Sequence, residues 1–134
     1  MANINIIDYI TIASAGNATD FGDMTAANND AAGCSSETRG LAMGGNASGY
    51  TATIDYITIA TTGNASDFGD LTVARGYSGG YASGDGARGV ADAGTTNGST
   101  NSDVIDYLTI ASLGNATDFG NSTLARRNGA GFSG

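Results

Sequence analysis

Three stretches of the chain say nearly the same thing, and this repetition limits the available folds more than any other feature. Residues 7–27 read "IDYITIASAGNATDFGDMTAA", residues 54–75 "IDYITIATTGNASDFGDLTVAR", and residues 105–126 "IDYLTIASLGNATDFGNSTLAR". Aligned on Asp8-Tyr9, Asp55-Tyr56 and Asp106-Tyr107, the copies stand 47 and 51 residues apart. A period of that length belongs to propeller blades and solenoids, in which each unit buries its apolar face only against a neighbour.

Each copy opens on Ile-Asp-Tyr-Ile/Leu-Thr-Ile-Ala, whose β-branched and aromatic side chains predict a strand of about seven residues. In the second copy Ile54, Tyr56 and Thr58 share one face, and Asp55, Ile57 and Ile59 the other. Both faces are largely apolar, as expected of a small sheet held between two others. Gly16-Asn17, Gly63-Asn64 and Gly114-Asn115 follow, a pair suited to a tight hairpin. A second strand then runs through Asp-Phe-Gly to near Ala74-Arg75 and Ala125-Arg126. Weaker, glycine-punctuated strands fit "AAGCSSE", "TRGLAMGG", "GYSGGYASG" and "ARGVADAG" between the hairpins. Four strands per period describe a propeller blade. No apolar helical periodicity survives more than two turns, and glycine interrupts almost every candidate window, so helix is disfavoured throughout. The composition of residues 76–102 also fits disorder.

The chain is read as one repeat domain over residues 1–134, with copies at about 5–53, 54–103 and 104–134. With 22 glycines and 40% apolar residues, its core is expected to be thin or shared. Thirteen acidic residues against five arginines give a net charge of −8, which argues against nucleic acid and anionic membranes as partners. No run of 18 apolar residues predicts membrane insertion, and no leader pattern stands at the start. Cys34 is the sole cysteine, expected to be a small buried or half-buried side chain.

Catalysis finds few of its usual groups: the sequence has no histidine, no lysine and one cysteine, and the expectation is a protein that is not an enzyme. "DFG" occurs three times without the phosphate loop or catalytic loop that would make it a kinase element. Calcium is the cofactor with some claim, since Asp20, Asp23, Asp67 and Asp70 lie among Asn, Ser and Thr oxygens. The competing reading is that these side chains cap tight turns; Asn121 replaces the last aspartate in the third copy. Six N-x-S/T triplets, the first at Asn17, matter only in a glycosylating route. Tyr77 and Tyr81, in a glycine-rich stretch, are candidates either for stacking on a sugar ring or for packing on a neighbouring blade.

The order Arg-Gly, short apolar strand, Gly-Gly, loop, "IDYxTIA", turn, aromatic, "LTxAR" resembles the kelch repeat. Gly44-Gly45 matches the family's double glycine, while Gly94 is followed by Thr95, a departure. Tyr9, Tyr56 and Tyr107 match its first aromatic, and Phe21, Phe68 and Phe119 stand where it usually has tryptophan. Arg75 and Arg126 match its inter-blade arginine, with Asn28 at that place in the first copy. The wording of the copies is similar to kelch-like repeats in structural and fibre-associated proteins of tailed phages, notably those of marine bacteria and cyanobacteria. The resemblance implies an all-β chain of four-stranded antiparallel blades whose six aromatics carry packing. With it comes the expectation that Arg39, Arg75, Arg88 and Arg126 bridge loops to the acidic turns.

On this reading the chain begins in mid-blade, runs through two full blades and ends on one more strand around "RRNGAGFSG". Fewer than four blades cannot close a ring, so a propeller completed by homo-oligomerisation is expected. The resemblance implies a bacteriophage structural protein, a self-assembling component of a fibre, tail or capsid surface, located on the virion or otherwise extracellular. Its partners would be itself and other virion proteins. The alternatives are an adhesive head that binds host surface glycans and a subunit of an extracellular filament.

Overall fold

The computed structural model describes residues 3–132, and these form ten strands with no helix. The strands are β1 (Ile4–Tyr9), β2 (Thr19–Asn28), β3 (Ala32–Ser35), β4 (Arg39–Met43), β5 (Thr53–Thr58), β6 (Ser66–Asp70), β7 (Gly79–Ala82), β8 (Arg88–Asp92), β9 (Ser102–Thr109) and β10 (Thr117–Arg126). They make three antiparallel sheets: the two-stranded β1-β2, then β3-β4-β5-β6, then β7-β8-β9-β10. Each sheet is a meander, so every strand pairs with its neighbour in sequence. The sheet boundaries are offset from the repeat: each full sheet starts two strands ahead of its Asp-Tyr strand. The glycine-rich stretch 76–102 supplies β7 and β8.

Two expectations are corrected. Residues 127–132 form no strand, so β10 is the last strand among the described residues, and the rest of the expected strand, residues 133–134, lies outside them. The Gly-Asn pairs are not two-residue hairpin turns. The reversal comes earlier, where Thr61 N donates to Thr58 O at 3.2 Å, as Ser14 does to Thr11 and Ser112 to Thr109. Gly63 N instead donates 2.7 Å to Phe21 O, and Ala65 N 2.7 Å to Asp23 O, in the preceding sheet. The third copy repeats this, with Gly114 N to Phe68 O at 2.9 Å and Ala116 N to Asp70 O at 2.8 Å. The crowded glycines are those beneath the pair, Gly22 and Gly69, whereas a Cβ on Gly63 or Gly114 would meet nothing within 4 Å.

Successive sheets therefore lie one on the next. Alternation along the strands turns Ala32, Cys34, Leu41, Met43, Ile54 and Tyr56 to the face of the second sheet that meets the third. Ala91, Leu108 and Ile110 of the third sheet complete that core. Gly80 lies so close to β3 that a Cβ there would stand 2.5 Å from Gly33 O. Gly89 leaves room for Cys34 Sγ, which a Cβ would approach to 2.7 Å. Burial in this seam pushes the Cys34 thiol up to about 11, so it stays protonated near neutral pH.

The turn-on-strand contact gives a sharp test. A Cβ on Gly69 would stand 2.5 Å from Gly114 O, whereas the matching Gly120, also at positive φ (135° against 146°), meets nothing within 4 Å. Gly120→Ala should cost only the backbone strain of about 1–3 kcal/mol, and Gly69→Ala about 2 kcal/mol or more beyond that, because the clash adds to the same strain. Denaturation midpoints of the two variants measure the difference; equal losses would mean that the sheets do not meet as described.

Candidate functional site

The site worth building is the seam between copies, because the same side chains form it twice. In the first seam Thr25 N donates 3.0 Å to Asp55 Oδ2, and Thr25 Oγ1 donates 2.7 Å to Asp55 Oδ1. In the second, Thr72 N donates 3.0 Å to Asp106 Oδ2 and Thr72 Oγ1 2.6 Å to Oδ1. Each Asp belongs to an Asp-Tyr strand, and each Thr follows Asp-Phe-Gly one copy earlier, Thr25 within β2 and Thr72 just past the end of β6. Beside them Asn64 Oδ1 accepts from Asp23 N and Asn115 Oδ1 from Asp70 N, both at 3.1 Å. A carboxylate, an asparagine carbonyl and two backbone amides thus fix the register of one copy on the next.

The second seam adds a buried ion pair. Arg75 Nη1 donates 2.9 Å to Asp106 Oδ2, both side chains fully buried, and Nη2 donates 3.1 Å to Ala91 O. Asp106 thus takes three donors, which offsets the desolvation of its charge. Its sequence expectation is corrected in one respect: the acid that Arg75 reaches is in strand β9 rather than in an acidic turn. In the first seam Asn28 occupies the arginine's place. Its Nδ2 donates 2.8 Å to Gly44 O, its Oδ1 is buried without a partner, and a cavity of about 50 Å³ opens between Thr25, Ala42 and Asp55. Ala42 and Asp55 are the counterparts of the residues that hold the Arg75 guanidinium.

The other arginines are placed differently. Arg39 lies 4.9 Å over the Tyr56 ring and donates 2.7 Å to Ile110 O across the second seam. Arg88 lies 5.0 Å over Tyr107, and Arg126 is exposed at the end of β10. The six aromatics pair within hairpins, edge to face: Tyr9 with Phe21 at 6.0 Å, Tyr56 with Phe68 at 5.9 Å, Tyr107 with Phe119 at 5.8 Å. Burial separates them. Phe21 is 8% exposed and Phe68 3%, but Phe119 is 62% exposed, because only the first two are covered by a following copy.

Gly44, Gly45 and Gly94 all take positive φ, of 64°, 112° and 107°. Ala93 stands in the place of Gly44 at φ 61°, so the double glycine of the third sheet is Ala93-Gly94, shifted one residue from the expectation of Gly94-Thr95. Asp20, Asp67 and Asp118 each accept from the amide two residues on, at 3.0, 3.0 and 2.8 Å, the local bond of an Asx turn. Among the described residues no three acidic or cysteine side chains converge to hold a metal, around Asp23 and Asp70 or elsewhere. Tyr77 is part-exposed at φ 56°, with Asp30 beside its hydroxyl raising its phenol pKa, while Tyr81 is half-buried beneath Gly131. The two tyrosines sit in different surroundings.

Compared with models of known protein families and with curated proteins, the sequence matches none of them.

Two substitutions test the seam. Asp106→Ala strands Arg75 as a buried unpaired charge and should cost about 3–5 kcal/mol, while Asp8→Ala, at the matching exposed position, should leave the isolated chain within about 0.5 kcal/mol. Asn28→Arg should fill the cavity beside Asp55 and raise the melting temperature by several degrees, on the scale of about 1 kcal/mol gained. Calorimetry reads both; an unchanged Asp106→Ala variant would remove the ion pair from the account.

Proposed function

We propose that this is a non-enzymatic, self-assembling structural protein, built of kelch-like blades and carried on a phage particle as part of a fibre, tail or capsid surface. The observation that carries the self-assembly is the fate of one residue: Phe21 and Phe68 are buried by the next copy, whereas Phe119, in the same local conformation, stands in water. An exposed aromatic beside an open strand edge favours association. The virion placement is supported by the wording of the repeats and by the resemblance they carry. A net charge of −8 keeps the subunits soluble until their edges meet.

A second reading has one observation in its favour. Tyr77 offers a part-exposed ring with a carboxylate, Asp30, at its hydroxyl, a pairing suited to stacking on and hydrogen-bonding a sugar. On that reading the chain is an adhesive head for host glycans.

Light scattering across a dilution series should give a mass above one chain that falls on dilution, and Phe119→Gln should lower association. Purified particles should contain the chain at fixed copy number. A monomer at every concentration rejects the assembly reading, and retention on host polysaccharide that is lost with Tyr77→Ala would favour the adhesive head.

A further inference from the structure

We propose that a second copy of the chain docks head to tail, its β1-β2 hairpin covering β9-β10 in the register that both internal seams already use. The proposal rests on the self-assembly reading above and specifies its interface. Each seam needs groups from an earlier copy and groups from a later one, and the two ends of the chain hold one half each. On the outgoing side, Phe119, Asn121, Thr123 and Arg126 occupy the positions of Phe68, Asp70, Thr72 and Arg75. On the incoming side, Asp8, Gly16, Asn17 and Ala18 occupy those of Asp106, Gly114, Asn115 and Ala116.

Superposing the register of the second seam on the two ends gives each group its partner. Thr123 donates to the partner's Asp8 as Thr72 does to Asp106, and Arg126 reaches the same carboxylate as Arg75 does. Phe119 O and Asn121 O accept from the backbone of the partner's Gly16 and Ala18. Asp8, Thr123 and Arg126 are all exposed in the single chain, whereas Asp106 and Arg75 are fully buried. Ile12 is 94% exposed and its third-copy counterpart Ile110 is 1% exposed.

The end of the chain fits the same arrangement by an independent route. Tyr77 N donates to Asp30 O and Asn128 N to Tyr77 O, both at 2.9 Å, so the connection that enters each new sheet is repeated after β10. Asp30, Tyr77 and Asn128 share positive φ values of 58°, 56° and 59°. Beyond them Ala130-Gly131-Phe132 aligns with Ala32-Gly33-Cys34 and Gly79-Gly80-Tyr81, the first strand of a sheet. The two-stranded first sheet lacks that strand. Where it would lie over β3 and β4 there is an open groove of about 610 Å³, bordered by Ile6, Met24, Gly33, Gly40, Leu41 and Ile57. Cys34 points at Gly89, the counterpart of Gly40, so Phe132, 91% exposed, is directed at the partner's Gly40 in this groove. The tail of one chain and the hairpin of its partner belong to one interface built from unlike surfaces, which makes the contact heterologous, able to close a ring or extend a filament.

The test uses two variants, each blocked at one end. Asp8→Arg sets a cation against the partner's Arg126, and Gly120→Ala sets a methyl against the partner's Gly16, as Gly69 would against Gly114. Asp8 is exposed and Gly120 is half-buried with open space where a Cβ would stand, and circular dichroism checks that each variant is folded. In sedimentation velocity each variant alone should associate at least tenfold more weakly than the natural chain, and an equimolar mixture should form one-to-one dimers that grow no further. Phe132→Ala should weaken association without changing the melting temperature of the dilute chain. Variants that associate as the natural chain does, or a mixture that stays monomeric while the natural chain assembles, overturn the head-to-tail interface and leave self-assembly standing through another surface. A natural chain that stays monomeric overturns both.

Discussion

A carboxylate from one copy, received by the threonine of the copy before it, is the interaction on which the rest of this structure depends. Asp55 and Asp106 are buried between sheets, and each accepts both the amide and the hydroxyl of its threonine. The pairing fixes translation along the strand, because sliding breaks both bonds to the threonine. It fixes the face as well, since a shift of one residue would turn the carboxylate into the other side of the sheet. Apolar burial supplies the attraction between the sheets, but Ile, Leu and Ala tolerate sliding, and the polar lock removes that freedom.

Glycine plays the complementary part. The backbones of adjacent copies approach too closely at Gly22 and Gly69 for any side chain, with Gly63 O and Gly114 O lying where a Cβ would stand. This closeness allows Gly63 and Gly114 amides to bond carbonyls of the preceding sheet, so backbone hydrogen bonding runs between sheets as well as within them. A composition that leaves little side-chain volume for a core is therefore compatible with a defined structure. Stability comes from stacked backbone, short side chains and a polar lock rather than from a large central core, in keeping with the additive behaviour of repeat chains.

Much of this was legible in the sequence. The period, the four-strand unit and the incomplete first unit follow from three aligned Asp-Tyr strands and the glycine-punctuated segments between them, because strand propensity and turn residues act locally. The signals that misled are those whose meaning is set by a neighbour. Gly63-Asn64 has hairpin chemistry, yet its amides are engaged by the previous copy, and the reversal occurs at Thr58 and Thr61. Ala93 hides the double glycine because alanine adopts the left-handed conformation in which glycine was expected. The partner of Arg75 was assigned to the acidic turns, where carboxylates are densest, while the residue it meets is an aspartate 31 positions on in a strand. Phe119 carries the same local sequence as Phe68, and only the absence of a covering sheet within the described chain separates their exposures.

The departures between copies show which parts of the unit are constrained. The period lengthens from 47 to 51 residues, and the added residues fall in two connections, two in β7–β8 and two in the approach to Asp106, where β9 begins two residues earlier relative to its Asp-Tyr pair than β5 does. Neither connection lies on the threonine–aspartate line, so its length changes without moving the register. Within the seam, Asn28 in the arginine's place donates to Gly44 O, whereas Arg75 donates to Ala91 O, the counterpart of Ala42 O, and Asp55 is left with threonine alone. The first seam thus lacks the ion pair and retains a cavity, while the second is filled. Two seams of one design and unequal completeness imply unequal resistance to opening, with the two-stranded first sheet released ahead of the two four-stranded ones. An element that detaches first from its own chain is also the element most available to a second one, so the weaker internal seam and the exposed β1-β2 hairpin belong to the same physical account.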